Sequence, residues 1–172
     1  SRYEFRVLVD PIATYNFQTL PEQPAISIVP GAPETWVAVL PSTVTRGDRF
    51  SLKIKAEDMW GNPTNKASTK LTVKSNCSIK NLPKFIEVNT GDFATIVSGL
   101  IANVSGPLEI LLYAPDGSLV AACNPALVSD TPDLKSYWGD LHGQSEETLG
   151  TNSATDYFAF GRDRAFLDAC AH

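Results

Sequence analysis

The 172-residue chain has few cysteines, no run of basic residues and no long apolar stretch. Cys77, Cys123 and Cys170 are odd in number and far apart, which excludes a disulfide framework and a C-x-x-C zinc or redox motif. They read as small apolar packing residues, with a Cys77–Cys123 bridge as the alternative in an exported protein. The 14 Lys and Arg are scattered singly among 19 Asp and Glu, for a formal net charge of -5. No basic stripe is left to neutralise a phosphate backbone, so no nucleic acid partner is expected. No apolar run reaches the roughly 18 residues that a membrane span needs, and the opening Ser1-Arg2-Tyr3-Glu4 lacks the basic and apolar regions of a signal peptide. No membrane partner is expected either. The sequence opens without Met, as a processed or trimmed product does, so the compartment, cytoplasmic or exported, stays open.

What the chain does contain is turn chemistry. Its 11 Gly and 12 Pro punctuate short apolar runs, a composition that suits a globular, mainly β chain better than a helical bundle. Tyr3, Phe5, Val7 and Val9 alternate with Glu4, Arg6 and Leu8 until Asp10-Pro11 stops the run, and Tyr15 to Pro24 reads as an extended connector before a short strand at Ala25 to Val29. Thr35 to Leu40 predicts another strand. In Phe50 to Ala56 the alternation is clean: Phe50, Leu52, Ile54 and Ala56 face a core, while Ser51, Lys53 and Lys55 face water. Ser68 to Val73, Phe85 to Val88, Phe93 to Val97, Leu108 to Tyr113 and Leu119 to Cys123 continue the pattern, and Pro115-Asp116-Gly117 is the strongest hairpin signal. Strands at this spacing, with no helical period between them, predict an antiparallel β-sandwich.

The segment Ala56-Glu57-Asp58-Met59-Trp60-Gly61-Asn62-Pro63-Thr64 resembles the A-x-D-x-x-G-N-P turn of bacterial immunoglobulin-like domains, which implies an immunoglobulin-like sandwich over residues 30–130. Residues 1–29 form the N-terminal strands and connector that precede it. Trp60 reads as a packing residue in preference to a ligand platform. Past the polar linker Ser129-Asp130-Thr131-Pro132-Asp133 the period changes, and a boundary is expected near residue 135.

In this last segment, 136–172, both histidines of the chain occur. Asp140 and His142 are two residues apart, so on an extended strand both side chains leave one face, as successive metal ligands do. Ser153 is placed as the N-cap of a helix from about 154 to 165, with Ala154, Phe158, Gly161 and Ala165 as its packing stripe, and 166–172 reads as a second strand with His172 at its tip. Strand, loop, helix, strand is a βαβ unit, and in a β/α barrel functional side chains sit at the C-terminal ends of such strands.

Tyr137-Trp138-Gly139-Asp140-Leu141-His142 resembles the Gly-Asp-Leu-His-x-His motif of the polymerase and histidinol phosphatase (PHP) type metal-dependent phosphoesterases. Trp138 to His172 is similar to the opening of the uncharacterised-domain family numbered 3604, and Val9-Asp10-Pro11 and Ala56 to Thr64 are similar to the stretch before that family's barrel. The resemblance implies a hydrolase using a divalent metal, Zn or Mn, with Asp140, His142 and His172 as ligands. Gln144 stands where the second His of the motif is expected and Ala171 where an Asp is expected, which implies fewer metals than a trinuclear centre. Glu146 and Glu147 read as solvated.

A barrel of this kind needs about 250 residues, so residues 136–172 are expected to be only its truncated βαβ start. The chain alone is then expected to be inactive and to hold no metal tightly. Its partners would be the rest of its own barrel, or a second copy through residues 150–172, because Phe158, Phe160, Phe166 and Leu167 need cover. The alternative is a non-catalytic immunoglobulin-like binding or adhesion module for sugar or protein, in which an exposed Trp36, Trp60 or Trp138 forms a platform.

Overall fold

The computed structural model describes residues 2–131 and 134–172; Pro132 and Asp133, in the expected linker, lie outside the described residues. The chain divides into two compact units, Ser1–Pro30 and Gly31–His172. The fold is mainly β, with curled antiparallel sheets and one helix among the described residues.

In the first unit Arg2–Glu4 pairs with Ala25–Ser27, and Leu8–Val9 pairs with Gln18–Thr19, both antiparallel. The expected single strand from Tyr3 to Val9 is therefore two. The reason is the connector, which doubles back and supplies a different partner to each half; between them Gln23 Oε1 accepts from Val7 N at 2.6 Å. Tyr3, Phe5, Ile12 and Tyr15 are exposed on this unit.

The second unit holds the main core. One sheet runs in the order Ile79–Lys80, Thr95–Ala102, Arg49–Glu57, Thr35–Val39, with Pro63–Thr64 added beside Arg49–Glu57. Another runs Phe85–Val88, Thr69–Ser75, Ile110–Tyr113, Leu119–Ala122. A third joins Gly106–Leu108, Ala126–Ser129 and Thr43–Thr45, the last pair in parallel. Leu52 and Ile54 of the first sheet, Leu71, Ile110 and Leu112 of the second, and Val128 of the third belong to one buried cluster. Cys77 and Cys123 are partly buried against it, and all three cysteines are free thiols.

Two irregularities redraw the expected strands. The Phe93–Val97 run begins at Thr95 and continues to Ala102 through a register shift between Val97 and Leu100, where Gly99 takes φ 74°. The shift turns Leu100 and Ala102 inward, and only a residue without Cβ enters that backbone region cheaply. The Leu108–Tyr113 run breaks at Glu109, whose N–H donates to Asn76 Oδ1 at 2.9 Å. The hairpin at Pro115-Asp116-Gly117 forms as expected, with Asp116 Oδ1 accepting from Ser118 N and Oγ at 2.9 and 2.6 Å.

The Ala56–Thr64 turn is organised by Asp58. Its carboxylate accepts from the N–H groups of Gly31, Trp60 and Asn62, each at 3.0 Å. Burial pushes the carboxyl's pKa up, but the hydrogen bonds from Asn62, Gly31 and Trp60 outweigh it and hold the group below the ordinary carboxylate value. Trp60 itself points outward and is 77% exposed, so it is not the packing residue expected of it. The turn spends Asp58 on main-chain N–H groups and needs no ring beneath it.

Lys55 is the other correction. Its alternation places it opposite the core, yet it is buried, because the tail covers that part of the sheet. Its ammonium donates to the carbonyl O of Arg164 at 2.8 Å and pairs with Glu57 Oε1 at 2.9 Å. Phe166, 3% exposed, lies beneath Lys53 and Lys55, whose Nζ atoms are 5.7 and 5.3 Å from its ring centroid. The Arg164 guanidinium stacks 3.9 Å from the Phe93 ring. The cover that Phe166 requires is thus supplied within the chain, whereas Phe158 and Phe160 stay exposed.

Candidate functional site

The tail brings two very short strands together. Gly139–Asp140 pairs in parallel with Ala169–Cys170, and the helix Ala154–Asp163 lies between them in sequence. Only Ala169 and Cys170 of the expected 166–172 strand are extended in a ladder; Phe166 takes φ 63°, a left-handed turn out of the helix that shortens the strand. Ser153 is the N-cap as expected, its Oγ accepting from Asp156 N at 3.1 Å, and Asp156 sits in the first turn, where the helix dipole favours an acid. The stripe facing the strands differs from the expected one. Gly161 is buried against Cys170, where an added Cβ would meet Sγ at 2.5 Å, and Tyr157, one turn earlier, takes the inward place given to Phe158. Ala154, Tyr157 and Gly161 are spaced by three and four residues, so the same helical period carries this stripe as well.

Tyr157 organises the strand ends. Its hydroxyl donates to Asp140 Oδ2 at 3.0 Å and also approaches Ala171 O at 3.3 Å. Asp140 Oδ1 accepts from the His142 N–H at 3.0 Å. These bonds, from His142 first and Tyr157 second, hold the Asp140 carboxyl below the ordinary carboxylate value. Burial, together with the Asp140 bond and charge, pushes the Tyr157 phenol up to about 12. At neutral pH the pair is therefore a carboxylate and a neutral phenol, fixed against each other. Gly143 makes room for the ring, since a Cβ there would lie 2.1 Å from Tyr157 Cζ.

The two imidazoles are held by a loop. Gln144 Nε2 stands 3.4 Å from His142 Nε2, within reach of a hydrogen bond to the ring. Gln144 Oε1 accepts from Thr148 Oγ1 at 2.7 Å. His172 Nε2 is 2.7 Å from Ser145 Oγ, which also accepts from Glu147 N at 3.2 Å. Gly150 lets the loop close on itself, its missing Cβ lying 2.5 Å from Gln144 O. Glu146 and Glu147 are exposed.

Asp140 and His142 are thus joined directly, and His142 and His172 are each bonded to adjacent residues of one loop, Gln144 and Ser145. Sequence reasoning missed Tyr157, Ser145 and Thr148. A residue with a hydroxyl on the inward helix stripe was the available signal for Tyr157; the serine and threonine lie in a polar loop that has no period to read.

The donor types, one carboxylate and two imidazoles, suit a divalent ion of borderline softness. Their arrangement does not assemble one: among the described residues no group of three His, Cys, Asp or Glu side chains is placed to hold a metal. Both oxygens of Asp140 and one nitrogen of each His already have protein partners. The Ser145–His172 pair has the spacing of a nucleophile and its base, but Ser145 is fully buried and no third group among the described residues bonds the other His172 nitrogen.

No protein-family model matches the chain, and no curated protein matches its sequence. No helix among the described residues is long and apolar enough to cross a membrane.

Proposed function

We propose that the chain is the N-terminal part of a metal-dependent hydrolase of the PHP type, in which an immunoglobulin-like sandwich carries the first βαβ unit of a β/α barrel and is inactive without the rest. The observation that supports this most is the bonding of Asp140, His142 and His172 around the ends of two parallel strands, with a helix connecting them. The chemistry a bound divalent ion supplies in such a barrel is activation of water for attack on a phosphoester or similar ester. The residues of this chain do preparatory work. Tyr157 orients the Asp140 carboxylate, Gln144 steadies the His142 ring, and Ser145 positions His172, as outer partners do for metal ligands.

Calorimetric titration of the chain with Zn and with Mn tests the proposal. Because Asp140, His142 and His172 must leave their present partners to meet at one ion, only weak binding is expected, lost in both His142→Ala and His172→Ala, with no hydrolysis of p-nitrophenyl phosphate by the chain alone. Absence of binding to either ion, or binding that survives both substitutions, removes the reading. A non-catalytic immunoglobulin-like binding module is the second reading, favoured by the exposure of Trp60 and Trp138.

A further inference from the structure

Two open clefts lie side by side where the tail meets the Arg49–Glu57 sheet, with volumes of about 220 and 230 Å³, and they share Pro41 and Asp168. Trp138 lines one and Tyr137 the other, and the two residues are 58% and 70% exposed. Trp138 is held in place: its Nε1–H donates to Ser42 Oγ at 3.0 Å and its main-chain N–H to Asp168 Oδ2 at 3.0 Å. A large ring tethered at the surface of a cleft is an apolar platform kept in water, a feature that marks binding sites more than cores.

The polar lining narrows the ligand class. Lys53 and Asp168 line the first cleft, and Asp48, Arg49, Lys135 and Asp168 the second. Among the described residues none of these five side chains is in an ion pair. An anionic ligand meets Asp48 and Asp168, and a cationic one meets Lys53, Arg49 and Lys135. A wholly apolar ligand strips water from all five charges without replacing their hydrogen bonds. What suits both the rings and the charges is a neutral molecule with apolar C–H faces and a rim of hydroxyls. Each cleft is below the size of a pocket for a drug-like molecule, so a small unit repeated twice fits better than one bulky ligand.

We propose that the paired clefts form a carbohydrate-binding site for two successive sugar rings, with Trp138 and Tyr137 stacking on their C–H faces and Asp168, Asp48, Lys53 and Arg49 bonding their hydroxyls. The site shares no residue with Asp140, His142 and His172 and stands whether or not the chain belongs to a hydrolase. Titration of the full chain with cellobiose, maltose and N,N′-diacetylchitobiose, followed by tryptophan fluorescence and calorimetry, tests it. Saturable binding of at least one disaccharide is expected, weakened about tenfold or more by Trp138→Ala and by Tyr137→Ala, and unchanged by EDTA. The Tyr137 variant decides the matter if Trp138→Ala disturbs the fold, because the Tyr137 ring is mostly solvated. No saturable binding of any of the three, binding indifferent to Tyr137→Ala, or binding abolished by EDTA overturns the proposal.

Discussion

Replacing Lys55 by Met tests how the tail is attached to the sheet. Met keeps most of the aliphatic stem over Phe166 and removes the ammonium, which bridges Glu57 Oε1 and the Arg164 carbonyl at the helix C-terminus. The Lys55 and Glu57 side chains are only 10% and 19% exposed, so the carboxylate left behind is largely stranded. Breaking a buried pair from one side costs about 3–5 kcal/mol, and the residual exposure of Glu57 argues for the lower end, about 3 kcal/mol. Lys55→Met combined with Glu57→Leu removes the stranded charge and leaves chiefly the Arg164 carbonyl short of a donor, a loss of about 1 kcal/mol. With an m-value of about 2 kcal/mol/M in urea, the midpoint falls by about 1.5 M for the single variant and about 0.5 M for the double. Far-UV circular dichroism and tryptophan fluorescence read the transition, and their coincidence checks that it is two-state. A single variant within about 0.5 kcal/mol of the parent, or a double variant no better than the single, refutes the idea that this pair anchors the tail.

The Tyr157 phenol, raised to about 12, is expected to ionise well above the ordinary phenol value. Its raised folded value means that its contribution to stability is intact below about pH 10, the ordinary phenol value, and is lost as pH rises towards 12. Absorbance at 295 nm, as a difference against Tyr157→Phe, should show the late step, and Asp140→Asn should bring it earlier; a Tyr157 step at the ordinary value contradicts the Asp140 contact. Gly150→Ala forces a Cβ against the Gln144 main chain and is expected to cost about 1–3 kcal/mol, with altered NMR shifts at His142 and His172; unchanged shifts would show that this loop does not hold the imidazoles. Burial pushes the Cys123 thiol up to about 12, so alkylation by iodoacetamide at pH 8 should be slow at this residue until denaturant is added, and rapid labelling of the native chain counts against its packing.

The interior-facing half of the fold was legible in the sequence because it is periodic. Phe50, Leu52, Ile54 and Ala56 are all buried as their alternation requires, Phe85–Val88 has the expected bounds, and the Asp116 turn is where Pro and Gly put it. What escaped depends on partners that are distant in the chain. Thr43–Thr45 carries no alternation long enough to read, and becomes a strand because Ala126–Ser129 lies beside it. Lys55 follows the rule for a solvated face until Arg164 and Phe166 arrive over it. At the candidate site, Asp140, His142 and His172 stood out as titratable groups at the ends of two expected strands, of which only Asp140 lies within a strand that forms, whereas Tyr157 is brought in only through the helix that turns it inward.

The parallel pair of Thr43–Thr45 with Ala126–Ser129 also governs the order of assembly. Arg46 N donates to Ser129 O and Asn124 exchanges hydrogen bonds with the Leu40 main chain, so this edge closes only after residue 129 has been made, more than 80 residues after the strand it pairs with. During synthesis the early strand must wait with its backbone groups unpaired. Loop-closure entropy makes such distant pairing slow, and the nascent chain emerging from a ribosome should stay susceptible to protease near residues 40–46 until residue 129 has cleared the exit tunnel.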